Sequence, residues 1–477
     1  MVKRLRITTL LCCLLFAILI GIALSKIAPI STPGWLSLMI GPAVLIAWKR
    51  RTWASSVLAI VFGVSIGLWR GGVFLPRIAP YQELAQQKVT VQVKAESSAV
   101  YNETKQLEFD ASDVHVLSPY DVRVPGMMVI SGFGENSVLR GDVVTVSGKL
   151  HTRRGGKQAG ISFGQLHVES RSSSALEKVR RDFLAGLNTA LPEPHGQFAA
   201  GILIGQRSTL PDDVSDMLRT VGLSHVIAVS GYNLTIMAEV ARRRFGKKSK
   251  YRTTLMSAGL ILLFVAIAGS SASIARAAFV SLLSLFAAHY GRTVKPLLLL
   301  LLAAAYTAYV NPLNLWTDIG WYLSFLAFFG VLIVAPAVTG RFFAAKDPNP
   351  VVKLLIETSS AQLMTVPIVL FIFGEVSLIS LIANLLVVPL VPVAMLLSLV
   401  AGVAGMLVPL SAGVIAWPAK MLLSFMLQLS SLLARVPHAL SELQISAGVM
   451  LLLYAAVIGA VIIMKRKTPK YAKILAD

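Results

Sequence analysis

The stretch Gly222-Leu-Ser-His-Val-Ile-Ala-Val-Ser-Gly-Tyr-Asn-Leu234 sets Ser224, His225, Ser230 and Asn233 into an otherwise apolar run. Polar groups in hydrocarbon are costly unless they face a cavity, water or one another. At about 100° per residue, a helix puts Asn233 roughly 80° and Ser230 roughly 140° around the axis from His225, so one broad polar face holds all three. Three chemistries fit: the lining of a polar pathway, hydrogen bonding between helices with Gly231 permitting close approach, and hydrolysis by Ser224 or Ser230 with His225. Geometry disfavours the last. Adjacent Ser224 and His225 point about 100° apart, and Ser230 falls outside the favoured i, i+3 and i, i+4 contacts of His225.

Two charges lie at further apolar segments: Arg276 in Ile274-Ala-Arg-Ala-Ala278, and Asp318 in Trp316-Thr-Asp-Ile-Gly-Trp-Tyr-Leu-Ser-Phe325. Each alone is expensive at depth, so a buried pair joining two helices and a solvated position in a pathway are the two readings. Gln362, Thr365, Pro367, Asn384 and Pro389 add amides and helix-breaking prolines, whose freed backbone groups must face protein or water. The seven histidines show no H-x-H, H-E-x-x-H or i, i+4 pairing, and the two cysteines, Cys12 and Cys13, are neighbours. Neither a metal site nor an intrachain disulfide framework is therefore expected, and no cofactor.

The elements that must carry these residues follow from composition. Of 477 residues 55% are hydrophobic and only 14% charged, against about 25% charged in soluble domains, which excludes a soluble globular enzyme. The net charge of +21 fits basic loops retained on the cytoplasmic side, and it equally fits a polyanionic substrate such as nucleic acid. Apolar segments are expected at 7–24, 33–48 and 53–68, then near 222–240, 253–270, 272–290, 296–310, 320–338, 352–373, 378–409, 412–434 and 446–464. The segment 378–409 is too long for one straight helix and carries Pro389 and Pro392. Basic clusters at Lys3 to Arg6, Lys49 to Arg51, Arg242 to Arg252 and Lys465 to Lys467 put both termini inside.

Between these runs, residues 74–171 change character. Alternating β-branched stretches such as Val89-Thr-Val-Gln-Val93 and Val143-Val-Thr-Val146 alternate with turn residues, predicting five or six strands on the outer side, in an OB-type barrel or a small sandwich. Ser174 to Leu191 mixes apolar residues with Lys178, Arg180 and Arg181 at the spacing of an interfacial amphipathic helix. The expected organisation is thus 1–73 N-terminal transmembrane helices, 74–171 an extracytoplasmic all-β domain, 172–221 amphipathic or interfacial helices, 222–464 a transmembrane domain and 465–477 a basic cytoplasmic tail. The fold class is a polytopic α-helical membrane protein of about 12 spans with a small OB-like domain. On that topology His225, Ser230, Arg276, Asp318 and Asn384 all fall in the outer half of the membrane. They are expected to line one narrow vestibule, with Arg276 attracting phosphate and Asp318 holding it.

Several motifs occur in a specific order: Gly205-Gln-Arg207, Thr220-Val-Gly-Leu-Ser-His225 running on to Ser230-Gly231, Arg276-Ala-Ala278, Asp318-Ile-Gly-Trp-Tyr-Leu-Ser-Phe325, and Gly374-Glu-Val-Ser-Leu378 followed by Asn384-Leu-Leu-Val-Val-Pro389. Across Phe198 to Leu410 this resembles the competence domain of ComEC-type DNA internalisation channels. The resemblance implies an inner-membrane channel passing single-stranded DNA into the cytoplasm during natural transformation. His225, Ser230, Asn233, Arg276, Asp318 and Asn384 would then lie on the DNA pathway, and no residue would be catalytic. Partners implied are single-stranded DNA, membrane lipids, a separate DNA receptor, a nuclease and a cytoplasmic ATP-driven motor. The chain differs from many relatives in carrying Asn233, after Tyr232, where they have a second histidine. Many relatives also end in a metallo-β-lactamase-like nuclease domain, whereas here 13 residues follow Met464, so the nuclease is expected to be another protein. On the β domain, Arg153, Arg154 and Lys157 are candidates for phosphate contact and Tyr101, Phe109 and Phe133 for base stacking. An intramembrane hydrolase and a transporter of small anions or lipids remain the alternatives.

Overall fold

The computed structural model describes residues 6–27, 52–102, 104–153, 155–172, 174–205, 210–227, 250–268, 272–292, 295–343 and 348–466. They form two units, residues 1–178 with 269–322 and residues 179–268 with 323–477.

In the first unit the helices Ile7–Ile27 and Trp53–Phe74 pack along a glycine stripe. A Cβ on Gly67 would lie 2.4 Å from the Ile18 carbonyl and 2.7 Å from Gly21 Cα, so only glycine lets the backbones meet this closely. Gly63 faces Leu14 and Gly71 faces Ser25, so the two helices run in the same direction. Their C-terminal ends meet the connection after the helix Pro296–Val310: Trp316 Nε1 donates to the Ile22 carbonyl at 2.8 Å, and Arg70 Nε to the Tyr309 carbonyl at 2.7 Å. Phe74 packs edge-on against Trp316 at 6.0 Å.

The same unit holds a closed β-barrel. Its principal strands are β1 (Lys88–Ala95), β2 (Leu107–Ser118), β3 (Met128–Phe133), β4 (Val143–Thr152) and β5 (Ala159–Ser170). Two short strands, Val100–Tyr101 and Val122–Val124, pair with β2. The barrel closes in the order β1-β2-β3-β5-β4-β1, with β3 and β5 parallel and every other neighbour antiparallel. Alternation in β1 sends Val89, Val91, Val93 and Ala95 into the core with Phe109, Ile130, Val144, Val146 and Ile161. Residues 74–87, expected within the β domain, are instead helical or turn: the Pro80 ring fixes φ at the start of a short helix, Ala79–Glu83, whose Tyr81 joins the barrel core.

The second unit is helical. The helix Ala175–Ala190 falls where the amphipathic one is expected, and it packs closely on the helix Val391–Leu407: a Cβ on Gly405 would meet the Gly186 carbonyl at 1.8 Å, and Phe183 covers Gly402. The long segment expected at 378–409 is Ser380–Val387, a 3-10 turn at Val388–Leu390, then Val391–Leu407. Pro389 and Pro392 lack the N–H that would continue the α pattern, which explains the change of geometry. The helices Pro409–Ile415 and Trp417–Ala434 meet at 52°. The strands Glu375–Ser377 and Leu440–Glu442 pair antiparallel. Among the described residues six helices are long and apolar enough to cross a membrane, seven if the bent pair is one span, and three shorter apolar helices accompany them. The chain is a polytopic helical membrane protein with a β-barrel in its N-terminal part. The segment 33–48 and most of 222–240 lie outside the described residues.

Candidate functional site

Arg276 sits in the first turns of the helix Ala272–His289 and is only 4% exposed. Its Nη2 donates to the Gly320 carbonyl at 3.2 Å. Gly320 lies two residues beyond Asp318, which immediately precedes the helix Ile319–Phe329; the Asp318 carbonyl accepts from the backbone of Trp321 and Tyr322. The half-buried carboxylate of Asp318 therefore lies at a helix N-terminus, where the dipole favours an anion. Packing fixes this corner: Phe279, three residues beyond Arg276, stacks on Tyr306 at 4.5 Å with the rings 5° from parallel, and Trp321 Nε1 donates to Thr307 Oγ1 at 2.9 Å. Arg276 thus reaches the turn that Asp318 begins through the Gly320 backbone.

The β4–β5 loop of the barrel rests on the same corner. Thr317 Oγ1 donates to the Gly155 carbonyl at 2.6 Å and Asn311 Nδ2 to the Gly156 carbonyl at 2.8 Å. A Cβ on Gly156 would stand 3.0 Å from Asn314 Oδ1 and 3.5 Å from the Asp318 carboxylate, and Gly155 has φ +118°. Two glycines therefore let the loop lie flat on this polar connection. The loop's basic residues have protein partners: Arg153 Nη2 lies 3.4 Å from Glu108, and Lys157 pairs with Asp110. Arg154 lies outside the described residues. Phe109 is a core residue, 2% exposed, while Tyr101 and Phe133 are exposed.

In the second unit the motif residues gather at another corner. Gly222, at φ +73°, presses on the start of Ser380–Val387; a Cβ there would be 2.6 Å from Ser380 Cβ and 3.2 Å from Ser377 Cβ. Gln362 Nε2 donates to Ser380 Oγ at 3.0 Å, and Ser380 Oγ to the Ser377 carbonyl at 2.8 Å. Arg219 holds Glu375 with bonds of 3.0 and 2.8 Å to its two oxygens. Asn384, one turn beyond Ser380, is 6% exposed. His225 and Ser224 are exposed on the short helix Ser224–Ile227, with His225 Nδ1 3.1 Å from the Gly222 carbonyl. Ser230, Asn233 and Arg207 lie outside the described residues.

Sequence reasoning overlooked Asn311, Asn314 and Thr317. Their signal was legible as a polar cluster, Asn311-Pro-Leu-Asn314, between two apolar runs. Among the described residues no group of three or more His, Cys, Asp or Glu side chains is arranged to hold a metal.

Comparison with known proteins gives a consistent account. The Competence family model, described as competence protein, matches residues 202–468. ComE operon protein 3 of Bacillus subtilis (strain 168) is 25% identical over 228 residues, 47% of this chain and 28% of that protein. The chain thus aligns with little more than a quarter of that relative's length. No solved structure matches the chain.

Proposed function

The chain belongs to the family of ComEC-type competence proteins, and from that premise we propose that it acts in DNA uptake, as an inner-membrane channel passing single-stranded DNA into the cytoplasm. The observation that carries this reading is the docked corner: a buried arginine and a helix-starting aspartate directly beside the barrel loop Gly155-Gly156. A polyanion needs donors that hold phosphate at many points without stalling it. Arg276 supplies a fixed guanidinium, and Asp318 supplies the opposite charge that keeps it in place.

The barrel supports the reading too. Closure in the order 1-2-3-5-4-1 with one parallel pair corresponds to a five-stranded Greek-key barrel of OB type, a fold whose β4–β5 loop borders oligonucleotide sites. We assign the barrel to the outer face, about twelve crossings to the chain, and both termini to the cytoplasm. Two parallel helices, Ile7–Ile27 and Trp53–Phe74, require the chain to return between them, the role the sequence gives to 33–48. The domain limits are proposed as 1–73, 74–171, 172–221, 222–464 and 465–477. His225, Ser230, Asn233 and Asn384 join Arg276 and Asp318 on the path, and single-stranded DNA and lipids are the direct partners. A DNA receptor and an ATP-driven motor are further partners in this scheme.

Deletion and complementation in a transformation assay tests the proposal. Uptake should be lost on deletion and return with the intact chain, and the purified protein should bind single-stranded DNA with strong salt dependence. Normal transformation without the chain would overturn it.

A further inference from the structure

Phe163, midway along β5, departs from the barrel's pattern. Alternation from Ile161, which is buried, would turn Phe163 inward as well. Instead Phe163 has φ +57°, a conformation rare for a bulky L-residue, and is 68% exposed. The cause is a bulge, seen as a register shift opposite both β3 and β4. Three glycines accommodate it: a Cβ on Gly132 would lie 2.1 Å from the Gly164 carbonyl, and one on Gly148 2.5 Å from Ile161 and 3.1 Å from Gly164 Cα. The bulged Phe163 N–H is satisfied by Gln106 Oε1 at 2.9 Å, a side chain itself only 2% exposed. A strained aromatic held outward by a buried amide is a feature the barrel's stability does not require, which points to a use.

Beside it lies a groove of about 670 Å³, to which Phe163, Lys88, Lys149, His151, Gln86 and Gln165 contribute. Lys88 and Lys149 are exposed, and neither forms an ion pair among the described residues, in contrast to Arg153 and Lys157. Exposed Phe133 approaches Phe163 at 6.4 Å between ring centroids. Cations without acidic partners along a groove, with aromatic faces at its edge, are the two elements of single-strand binding: charge for the backbone and stacking for bases.

Resting on the proposed role in DNA uptake, we infer that this β4–β5 groove is a single-strand binding site. Lys88, Lys149 and His151 contact phosphate, and Phe163 with Phe133 stacks one or two unpaired bases. The contact surface thereby moves from Arg153, Arg154 and Lys157, the residues the sequence favours, to the neighbouring groove.

The test uses the full chain in detergent or nanodiscs and fluorescence anisotropy with three probes: a 20-nucleotide oligothymidine, an abasic strand of equal length, and vesicles containing phosphatidylglycerol. Phe163→Ala should weaken oligothymidine binding about tenfold while leaving the abasic strand unaffected, and Phe163→Tyr should retain wild-type affinity. Lys88→Ala with Lys149→Ala should weaken both strands and lower the salt slope by about 1.4, at roughly 0.7 per phosphate contact on a single strand. Arg153→Ala should change little. Wild-type binding that none of the groove variants alters would overturn the groove and leave the uptake reading standing. So would equal wild-type affinity for abasic strand and oligothymidine. Binding to the vesicles alone, with no strand bound at low salt, would overturn both.

Discussion

In the proposed pathway Arg276 and Asp318 would divide one task between a cation that meets the substrate and an anion that holds the cation. Transferring an arginine to the centre of a membrane helix costs about 2.5–3.5 kcal/mol on insertion scales. Here that cost is offset by the Gly320 carbonyl and the nearby Asp318. If the guanidinium serves only to join helices, Arg276→Ala should lower protein abundance and uptake together. If it serves the pathway, uptake should fall by orders of magnitude at normal abundance. We expect the second outcome, read as transformation frequency against immunoblot signal. Arg276→Lys should also be poor, because a lysine ammonium cannot reproduce the planar fork. Asp318→Ala should either follow Arg276→Ala or reduce the amount of protein. Normal transformation by Arg276→Ala at wild-type abundance would remove Arg276 from the pathway.

Among elements, glycine governs the closest approaches. Gly67 and Gly156 differ in what a side chain would disturb: at Gly67 it strikes backbone, at Gly156 the tip of Asn314. Gly67→Leu should therefore separate the two N-terminal helices, with a penalty at the upper end of the roughly 1–3 kcal/mol typical of overpacking, seen as loss of folded protein on detergent extraction. Gly156→Leu should leave the helices folded but lift the loop off Asn311 and Thr317, reducing uptake more than abundance. Equal losses in the two assays would make the loop contact merely structural. These elements were unevenly legible in the sequence. The helix Pro296–Val310 lies where hydropathy puts it, because an apolar run bounded by Lys295 and Asn311-Pro312 leaves little freedom. Strand alternation located β1 and β4 but not the outward Phe163, since a bulge shifts the period of 2 without leaving a compositional mark. The docking of Gly155-Gly156 on Asn311 and Thr317 joins residues about 155 positions apart, and no local pattern encodes such a pairing.

For the whole molecule, contacts between connections constrain parity. A barrel loop that touches the connection 311–318 requires an even number of crossings between them, and the expected segments 222–240, 253–270, 272–290 and 296–310 provide four. Likewise Glu375–Ser377 pairs with Leu440–Glu442 across the two expected spans 378–409 and 412–434. In the proposed orientation charge chooses the side: the positive-inside tendency assigns the basic segment Arg242 to Arg252 to the cytoplasm, and the expected span count then assigns the barrel, 311–318 and the paired strands to the outer face. Single cysteines in a Cys12→Ser, Cys13→Ser background test this directly. Tyr120, 69% exposed on the barrel, is a better reporter than Gly155, whose carbonyl is engaged and whose φ of +118° disfavours a side chain. Tyr120→Cys and Ser441→Cys should react with an impermeant thiol reagent on intact cells, and Ser249→Cys only after lysis. Since the paired strands must share a side, labelling of Ser441→Cys only after lysis, with Tyr120→Cys labelled outside, would mean an odd number of crossings between residues 171 and 375. The expected segments there number six, so that outcome would overturn the twelve-span count while leaving each helix as described; reversal at all three positions would instead invert the orientation and remove the barrel from the face where incoming DNA arrives.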